Sequence, residues 1–189
     1  LAEVDLRLLD HRDLDLPAPD PAFTAQIVRL LGDEADRYGV AVLDLSDPAR
    51  PRYAEHRADF RQNVGSVGKI AVAVALFQAL ADIYPDDIEA RKRLLRETII
   101  TADEFIQWDH HEVRIFNPAT GARSFRPLQI GDQGSLWEYL DWTLSISSNA
   151  AASMVMKNAM LLRHFKRDYP VSAAEADRFF KEASRAQLR

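Results

Sequence analysis

The sequence predicts a mainly helical fold with a single β-hairpin near its N-terminus. Helix-start signals and apolar residues at helical spacing recur from residue 20 to beyond residue 170. A short apolar, strand-like run occurs at residues 40–45 only. The chain has 189 residues, of which 47% are hydrophobic and 28% are charged. This composition is that of an ordinary soluble globular protein and excludes a disordered chain of low hydrophobicity.

The N-terminal third predicts one helix followed by the hairpin. Residues 1–19 end in a proline-rich stretch typical of an arm or linker, so we expect the domain to span residues 20–189. Asp20 and Pro21 form a helix-start signal, and the following apolar spacing predicts an amphipathic helix that ends near Gly39. Residues 40–45 and 52–55 predict the two strands of the hairpin.

The remaining two thirds predict helices separated by one long loop. Residues 66–84 are apolar on nearly every side, which is typical of a helix buried in the middle of a domain. Residues 86–97 predict a charged surface helix and residues 150–165 a helix rich in Ala and Met. Capping boxes that predict further helix starts begin at Thr101, Ser135 and Ser172. Residues 109–134 are rich in proline and glycine and predict a long loop.

Charge and composition exclude several classes of partner. Lys and Arg number 24 against 29 Asp and Glu, so the formal net charge is −5. A field of this sign does not attract nucleic acid or an anionic membrane surface. The longest apolar run, residues 70–77, is shorter than the roughly 20 residues that cross a bilayer. The absence of cysteine excludes disulfides, a thiol nucleophile and Cys-ligated zinc.

Ser66 and Lys69 form the first candidate catalytic pair. Side chains three residues apart at a helix start lie on the same face, one turn apart. The free N–H groups of the helix start favour negative charge developing on a hydroxyl there. An amine desolvated by apolar neighbours such as Ile70, Val72 and Val74 can accept the serine proton. The structural alternative is an N-cap serine beside a lysine that extends to solvent.

Ser147, Ser148 and Asn149 form the second candidate element, at the junction of two predicted helices. A hydroxyl there can pass a proton to a leaving group, and a carboxamide can hold a lysine or a substrate carbonyl. Simple helix capping is the alternative, because Ser and Asn are preferred caps.

These two motifs resemble those of the serine β-lactamases and penicillin-binding proteins. Residues 66–69 are similar to the S-x-x-K motif, and residues 147–149 to the S-D-N motif with Ser in the middle position. Residues 131–151 resemble the helix that delivers the second motif in class A β-lactamases. Residues 38–45 resemble the family's opening helix and first strand. The resemblance extends from about residue 21 to residue 165.

The resemblance implies an α+β fold and an active-site-serine hydrolase that needs no cofactor. By it, Ser66 is the acylated nucleophile, Lys69 its base or proton relay, Ser147 the proton shuttle and Asn149 a substrate-positioning amide. The implied substrates are β-lactams or D-Ala-D-Ala-like peptides of peptidoglycan. The implied location is the periplasm or the exterior of the cell.

Two departures from the family pattern keep alternatives open. No K-[ST]-G motif is present, and no Glu-x-x-x-Asn follows the second motif. Glu175 is the nearest candidate for a deacylating carboxylate, and it also fits as the capping-box partner of Ser172. A D,D-peptidase and a non-catalytic binding module therefore remain alternatives to a β-lactamase.

The short hairpin also predicts that other strands complete the sheet. A two-stranded sheet is marginal in water, and an open strand edge promotes aggregation. We expect the missing strands, with the K-[ST]-G motif, from residues after 189, from a second chain or from a swapped copy. Because a missing oxyanion donor costs about 100- to 1000-fold in rate, we expect the 189 residues alone to be a poor enzyme.

Three other groups of residues have weaker functional interpretations. Residues 109–112, Asp-His-His-Glu, are compatible with a metal site, but a solvated loop without metal is the preferred interpretation. The three tryptophans, Trp108, Trp137 and Trp142, could line a pocket. Core packing is favoured for Trp137 and Trp142, which lie on a predicted helix. Three arginines interleave with glutamates and predict a solvated face; they are Arg91, Arg93 and Arg96.

Overall fold

The computed structural model describes residues 14–61, 63–106, 109–117, 119–184 and 186. The chain divides into two compact units, residues 1–63 and residues 64–189.

The first unit begins with helix α1, Pro21–Leu31. The Asp20 carboxylate accepts hydrogen bonds from the backbone N–H groups of Ala22 and Phe23, which confirms the predicted helix start. The predicted end near Gly39 is wrong. Gly32, with φ of 60°, caps α1, and the chain continues as a 3₁₀ helix, Gly32–Arg37. A positive φ stops an α-helix and favours glycine.

The hairpin consists of β1, Val40–Asp44, and β2, Arg52–His56, as predicted. The strands are antiparallel, with Val40 opposite His56 and Asp44 opposite Arg52. Pro19 forms an isolated parallel bridge with Tyr53 on β2. Among the described residues no third strand joins this sheet, so its completion by other strands stays a prediction.

The second unit contains five α-helices and four short strands within its described residues. The helices are α2 (Gly68–Ile83), α3 (Ile88–Glu97), α4 (Leu136–Ser145), α5 (Asn149–Phe165) and α6 (Ala173–Glu182). The strands are β3 (Ile99–Thr101), β4 (Val113–Phe116), β5 (Arg123–Arg126) and β6 (Gln133–Ser135). Helix α5 packs against both α2 and α4. The core between them is formed by Leu76, Leu80, Tyr139, Met154 and Leu162.

Helix α2 is buried on one face only, so the prediction of burial on every side is wrong. Leu76 and Leu80 are buried, whereas Ile70 and Val74 are 59% and 58% exposed. The unit is small, and α5 and α4 cover only the inner face of α2. The expectation that no segment is long enough to cross a bilayer is wrong by length and composition, because the helical segment Gly65–Ile83 passes that test among the described residues. Core helices of soluble proteins pass the same test.

The predicted loop at residues 109–134 contains regular structure. Strands β4 and β5 form an antiparallel hairpin, and β6 pairs with β3, with Thr101 opposite Gln133. The predicted capping box at Thr101 is therefore wrong, because this residue ends a strand. Pairing between residues more than 30 positions apart outweighs the local helix-start signal.

The capping boxes at Ser135 and Ser172 are confirmed. Each serine side chain accepts a hydrogen bond from the N–H of the glutamate three residues later, Glu138 or Glu175. Each glutamate accepts one in return from the serine N–H. Glu175 therefore has the capping role that the sequence indicated.

The tryptophans and arginines singled out in the sequence have different surroundings in the structure. Trp142 is in the core, as expected, but Trp137 is 52% exposed, so the expectation of core packing is wrong for it. Trp108 lies outside the described residues. Arg91 departs from the predicted solvated face because its Nε donates to the carbonyl of Tyr84 at 2.7 Å.

Candidate active site

Ser66 lies in a 3₁₀ turn, Gly65–Val67, that leads directly into α2. The sequence places Ser66 in the first turn of α2 itself, and the structure shifts the α-helical start to Gly68. In a 3₁₀ turn, residues three apart eclipse each other, so the one-turn relation of serine and lysine is kept. The Lys69 Nζ lies 3.0 Å from the Ser66 Oγ, within hydrogen-bond reach.

Ser147 and Asn149 reach the same ammonium from the junction of α4 and α5. The Lys69 Nζ is 2.7 Å from the Asn149 Oδ1 and 3.3 Å from the Ser147 Oγ. The three N–H donors of the ammonium thus face three oxygen acceptors, including Ser66 Oγ. Side chains separated by about eighty positions in sequence converge at one nitrogen.

The backbone of this junction is held in an unusual conformation. Ser147 has φ of 64°, in the left-handed region that residues other than glycine rarely adopt. Ser148 then caps α5 by accepting a hydrogen bond from the Ala151 N–H at 3.1 Å. The Ser148 N–H donates to the Trp142 carbonyl of α4 at 3.1 Å. Strain of this kind persists only where neighbouring contacts hold it, and it clusters at active sites.

Lys69 and the three side chains around its Nζ differ in burial in a way that suits nucleophilic chemistry at Ser66. Ser66 is exposed, Lys69 is buried, and Ser147 and Asn149 are intermediate. Ile70 and Val74 are exposed, so the predicted shielding of Lys69 by these neighbours is wrong. Lys69 instead lies on the α2 side that meets the start of α5. An open cleft of about 480 Å³ lies beside Ser66, lined by Gly65, Gly68, Lys69, Val72, Asn149, Ala152, Ser153 and Met156.

Asp109 is the site component that sequence reasoning missed. Its Oδ2 accepts hydrogen bonds from the Ser148 Oγ at 2.7 Å and from the Ala150 N–H at 3.1 Å. Its Oδ1 accepts the His111 N–H at 3.1 Å and lies 2.5 Å from the His111 ring Nδ1. The expectation of a solvated loop is wrong for Asp109, whose side chain is 2% exposed.

Hydrogen bonds keep the buried Asp109 ionised. Burial by itself raises the pKa of a carboxyl, but the bonds from the Ser148 hydroxyl, the His111 ring and two backbone N–H groups outweigh it. The pKa of Asp109 is therefore well below its usual range. No local pattern in the sequence predicts this role, because the partners lie 39 and 41 positions away.

Asp109 also belongs to the predicted metal candidate. One potential ligand atom each from Asp109, His110 and His111 lies within 4.8 Å of the others. Both Asp109 oxygens, however, already accept hydrogen bonds from the α5 start or from His111. The arrangement of the described residues therefore fits a structural anchor better than a metal centre.

The family follows from comparison with known proteins. The model of the β-lactamase enzyme family matches residues 22–167, which is more than half of the chain. The chain therefore belongs to the β-lactamase enzyme family, a group of β-lactamase-like hydrolases, and its mixed helices and small sheets agree with the α+β fold. No curated protein and no solved structure matches it.

Proposed function

We propose that the protein is an active-site-serine hydrolase acylated at Ser66 by a β-lactam or a D-Ala-D-Ala-like amide. The observation that carries this proposal is the convergence of Ser66, Ser147 and Asn149 on the Lys69 ammonium. A nucleophile, a proton carrier and a second hydroxyl within reach of one another are the components of acyl transfer.

The geometry supports one order of proton transfers. In its neutral form the Lys69 amine accepts the Ser66 proton as Oγ attacks the substrate carbonyl carbon. The carbon–nitrogen bond of the amide then breaks. The leaving nitrogen takes its proton from the Ser147 hydroxyl, which is replenished by Lys69. Asn149 holds the lysine through its Oδ1 and positions the substrate amide.

A D,D-peptidase or penicillin-binding protein is the second candidate, and the position of Glu175 favours it. Hydrolysis of the acyl-enzyme requires a base that activates water. Glu175 accepts hydrogen bonds from the Ser172 N–H at 3.0 Å and from its Oγ at 2.6 Å, so its carboxylate is engaged in capping α6. Long-lived acylation would favour this second candidate.

Labelling with a fluorescent penicillin tests the proposal. We expect slow covalent labelling of the wild-type protein on prolonged incubation, a mass increase on the peptide containing Ser66, and no labelling of Ser66→Ala. Ser145→Ala is the matched control, because the Ser145 hydroxyl donates to the carbonyl of Asp141 in its own helix. Equal labelling of Ser66→Ala, or an unlabelled wild-type protein, contradicts the proposal. The unlabelled result favours a non-catalytic module.

The lifetime of the label distinguishes the two enzyme candidates. Loss of label within seconds to minutes indicates a β-lactamase, whereas persistence for hours indicates a penicillin-binding protein. Peptidoglycan lies outside the cytoplasmic membrane, so we expect the protein in the periplasm or secreted.

A further inference from the structure

We propose that Asp109 is a positioning residue that holds Ser147 and Asn149 against Lys69. It supplies, from a distant segment, the carboxylate that the S-D-N pattern has at its middle position and that Ser148 lacks here. The chemical roles of Ser147 and Asn149 rest on the proposed function. Their positioning by Asp109 rests on the observed hydrogen bonds alone.

The contacts of Asp109 lie on both sides of Asn149 in the second motif. One carboxylate oxygen binds the Ser148 hydroxyl and the Ala150 N–H, the residues on either side of Asn149. Ser147 directly precedes Ser148. A fixed Ser148 therefore determines the backbone direction from which both Ser147 and Asn149 reach Lys69.

The strained backbone at Ser147 requires such a restraint. A non-glycine residue in the left-handed region is strained, and such strain persists only where its surroundings hold it. Ser148 is fully buried, and its hydroxyl bond to Asp109 restrains the residue next to the strained position. Without this bond we expect the junction to relax and the Ser147 hydroxyl to move away from Lys69.

The carboxylate form is specifically required. Asp109 faces donors on both oxygens: the Ser148 hydroxyl and Ala150 N–H on one side, and the His111 N–H and ring on the other. A carboxamide has one acceptor oxygen, and its NH₂ group would face N–H or O–H donors. Asp109→Asn therefore keeps the size of the side chain but breaks one of the two sets of contacts.

The test measures the second-order rate constant of acylation by fluorescent penicillin in folded protein. We expect Asp109→Asn to lower it about 10- to 100-fold, the range expected when reacting groups are displaced by about 1 Å. The exchange variant Asp109→Ser/Ser148→Asp, which returns the carboxylate to the motif, is expected to recover most of the rate. Asp132→Asn is the matched control: Asp132 pairs with Arg126 and contacts none of the four site residues.

A second readout is independent of acylation. We expect the NMR resonances of the Asn149 side-chain amide and the Ser147 backbone amide to shift in Asp109→Asn, to return towards wild type in the exchange variant, and to stay unchanged in Asp132→Asn. A purely structural role would lower the melting temperature without this site-specific pattern.

The outcomes separate this inference from the proposed function. Unshifted resonances in Asp109→Asn overturn the positioning role, as does a wild-type acylation rate in that variant. An unlabelled wild-type protein overturns the proposed function alone, because the NMR comparison still decides whether Asp109 holds the motif.

Discussion

Lys69 is the residue on which the candidate site depends. Its ammonium is the common neighbour of Ser66, Ser147 and Asn149, with the shortest contact, 2.7 Å, to the Asn149 oxygen. The neighbouring serine is exposed, while the lysine itself is buried. This arrangement suits the proposed roles, because Ser66 is open to solvent and Lys69 is shielded from bulk water.

Replacing Lys69 by arginine separates proton transfer from charge. Arginine keeps the positive charge but does not release its proton in proteins. We expect Lys69→Arg to lower the acylation rate constant by about 100- to 10,000-fold, the usual contribution of general base catalysis. The measurement is the rate of fluorescent-penicillin labelling at neutral pH.

Lys157→Arg is the control for this substitution. Lys157 is also buried on the second unit, but it pairs with Asp103 and lies 4.5 Å from the centre of the Phe105 ring. We expect its acylation rate to stay within about threefold of wild type, a change of less than 1 kcal/mol. A Lys69→Arg protein that is acylated as fast as this control would show that Lys69 contributes charge only.

At the scale of elements, α4 and α5 together deliver the second motif. Helix α4 ends at Ser145 and Ser148 caps α5, so the junction containing Ser147 lies between two defined helix ends. The position of α4 is further held by β6, which pairs with β3 immediately before the helix begins. The site therefore depends on where helices begin and end as well as on which residues they carry.

The two confirmed capping boxes are expected to contribute different amounts to the free energy of unfolding. Ser135 is buried at the end of β6, whereas Ser172 is exposed. Loss of an N-cap costs about 0.5–2 kcal/mol, and donors left unpaired in a buried position cost more than exposed ones. We expect Ser135→Ala to lower the free energy of unfolding by about 1–2 kcal/mol and Ser172→Ala by about 0.5 kcal/mol. Urea denaturation measures both, and a larger loss in Ser172→Ala contradicts this ranking.

At the scale of the whole molecule, hydrogen-bonded carboxylates with lowered pKa values link stability to pH. The Arg126 guanidinium, together with the Gln129 N–H, lowers the pKa of Asp132 against the opposing effect of burial. The pKa of Asp109 is lowered by the hydrogen bonds described above. Both groups bind protons less readily in the folded chain than in the unfolded one.

This difference predicts acid sensitivity. The stabilisation from a carboxyl with a lowered folded pKa is complete above its unfolded pKa, about 3.9 for aspartate, and is lost as pH falls below that value. We expect the free energy of unfolding of the wild type to fall progressively as the pH drops below about 4. Asp132→Asn should show a weaker dependence in urea titrations at a series of pH values. An equally steep fall in this variant contradicts the assignment to Asp132.

Two features of the structure were expected to pack against further elements. They are the exposed apolar side of α2 and the two-stranded sheet of the first unit. Ile70, Val74 and Phe77 lie at helical spacing on the exposed side. Completion by further strands, by a second chain or by a swapped copy stays a prediction for both features.

Local interactions explain what the sequence by itself determined. The caps at Asp20, Ser135 and Ser172 join residues two or three positions apart, and the relation of Ser66 to Lys69 spans one helical turn. Such contacts join neighbouring residues, so spacing predicts them wherever no long-range pairing competes, as it does at Thr101. The resemblance to the family then linked these residues to Ser147 and Asn149.

Only the tertiary structure decided which distant segments meet. The pairing of β3 with β6 overrode the helix-start signal at Thr101, and the packing of α5 left one side of α2 exposed. The role of Asp109 depends on a loop that returns to the start of α5 from 39 positions away. Burial and long-range hydrogen bonds are properties of the assembled chain. The local pattern around Asp109 favoured a solvated loop, with a metal site as the weaker interpretation.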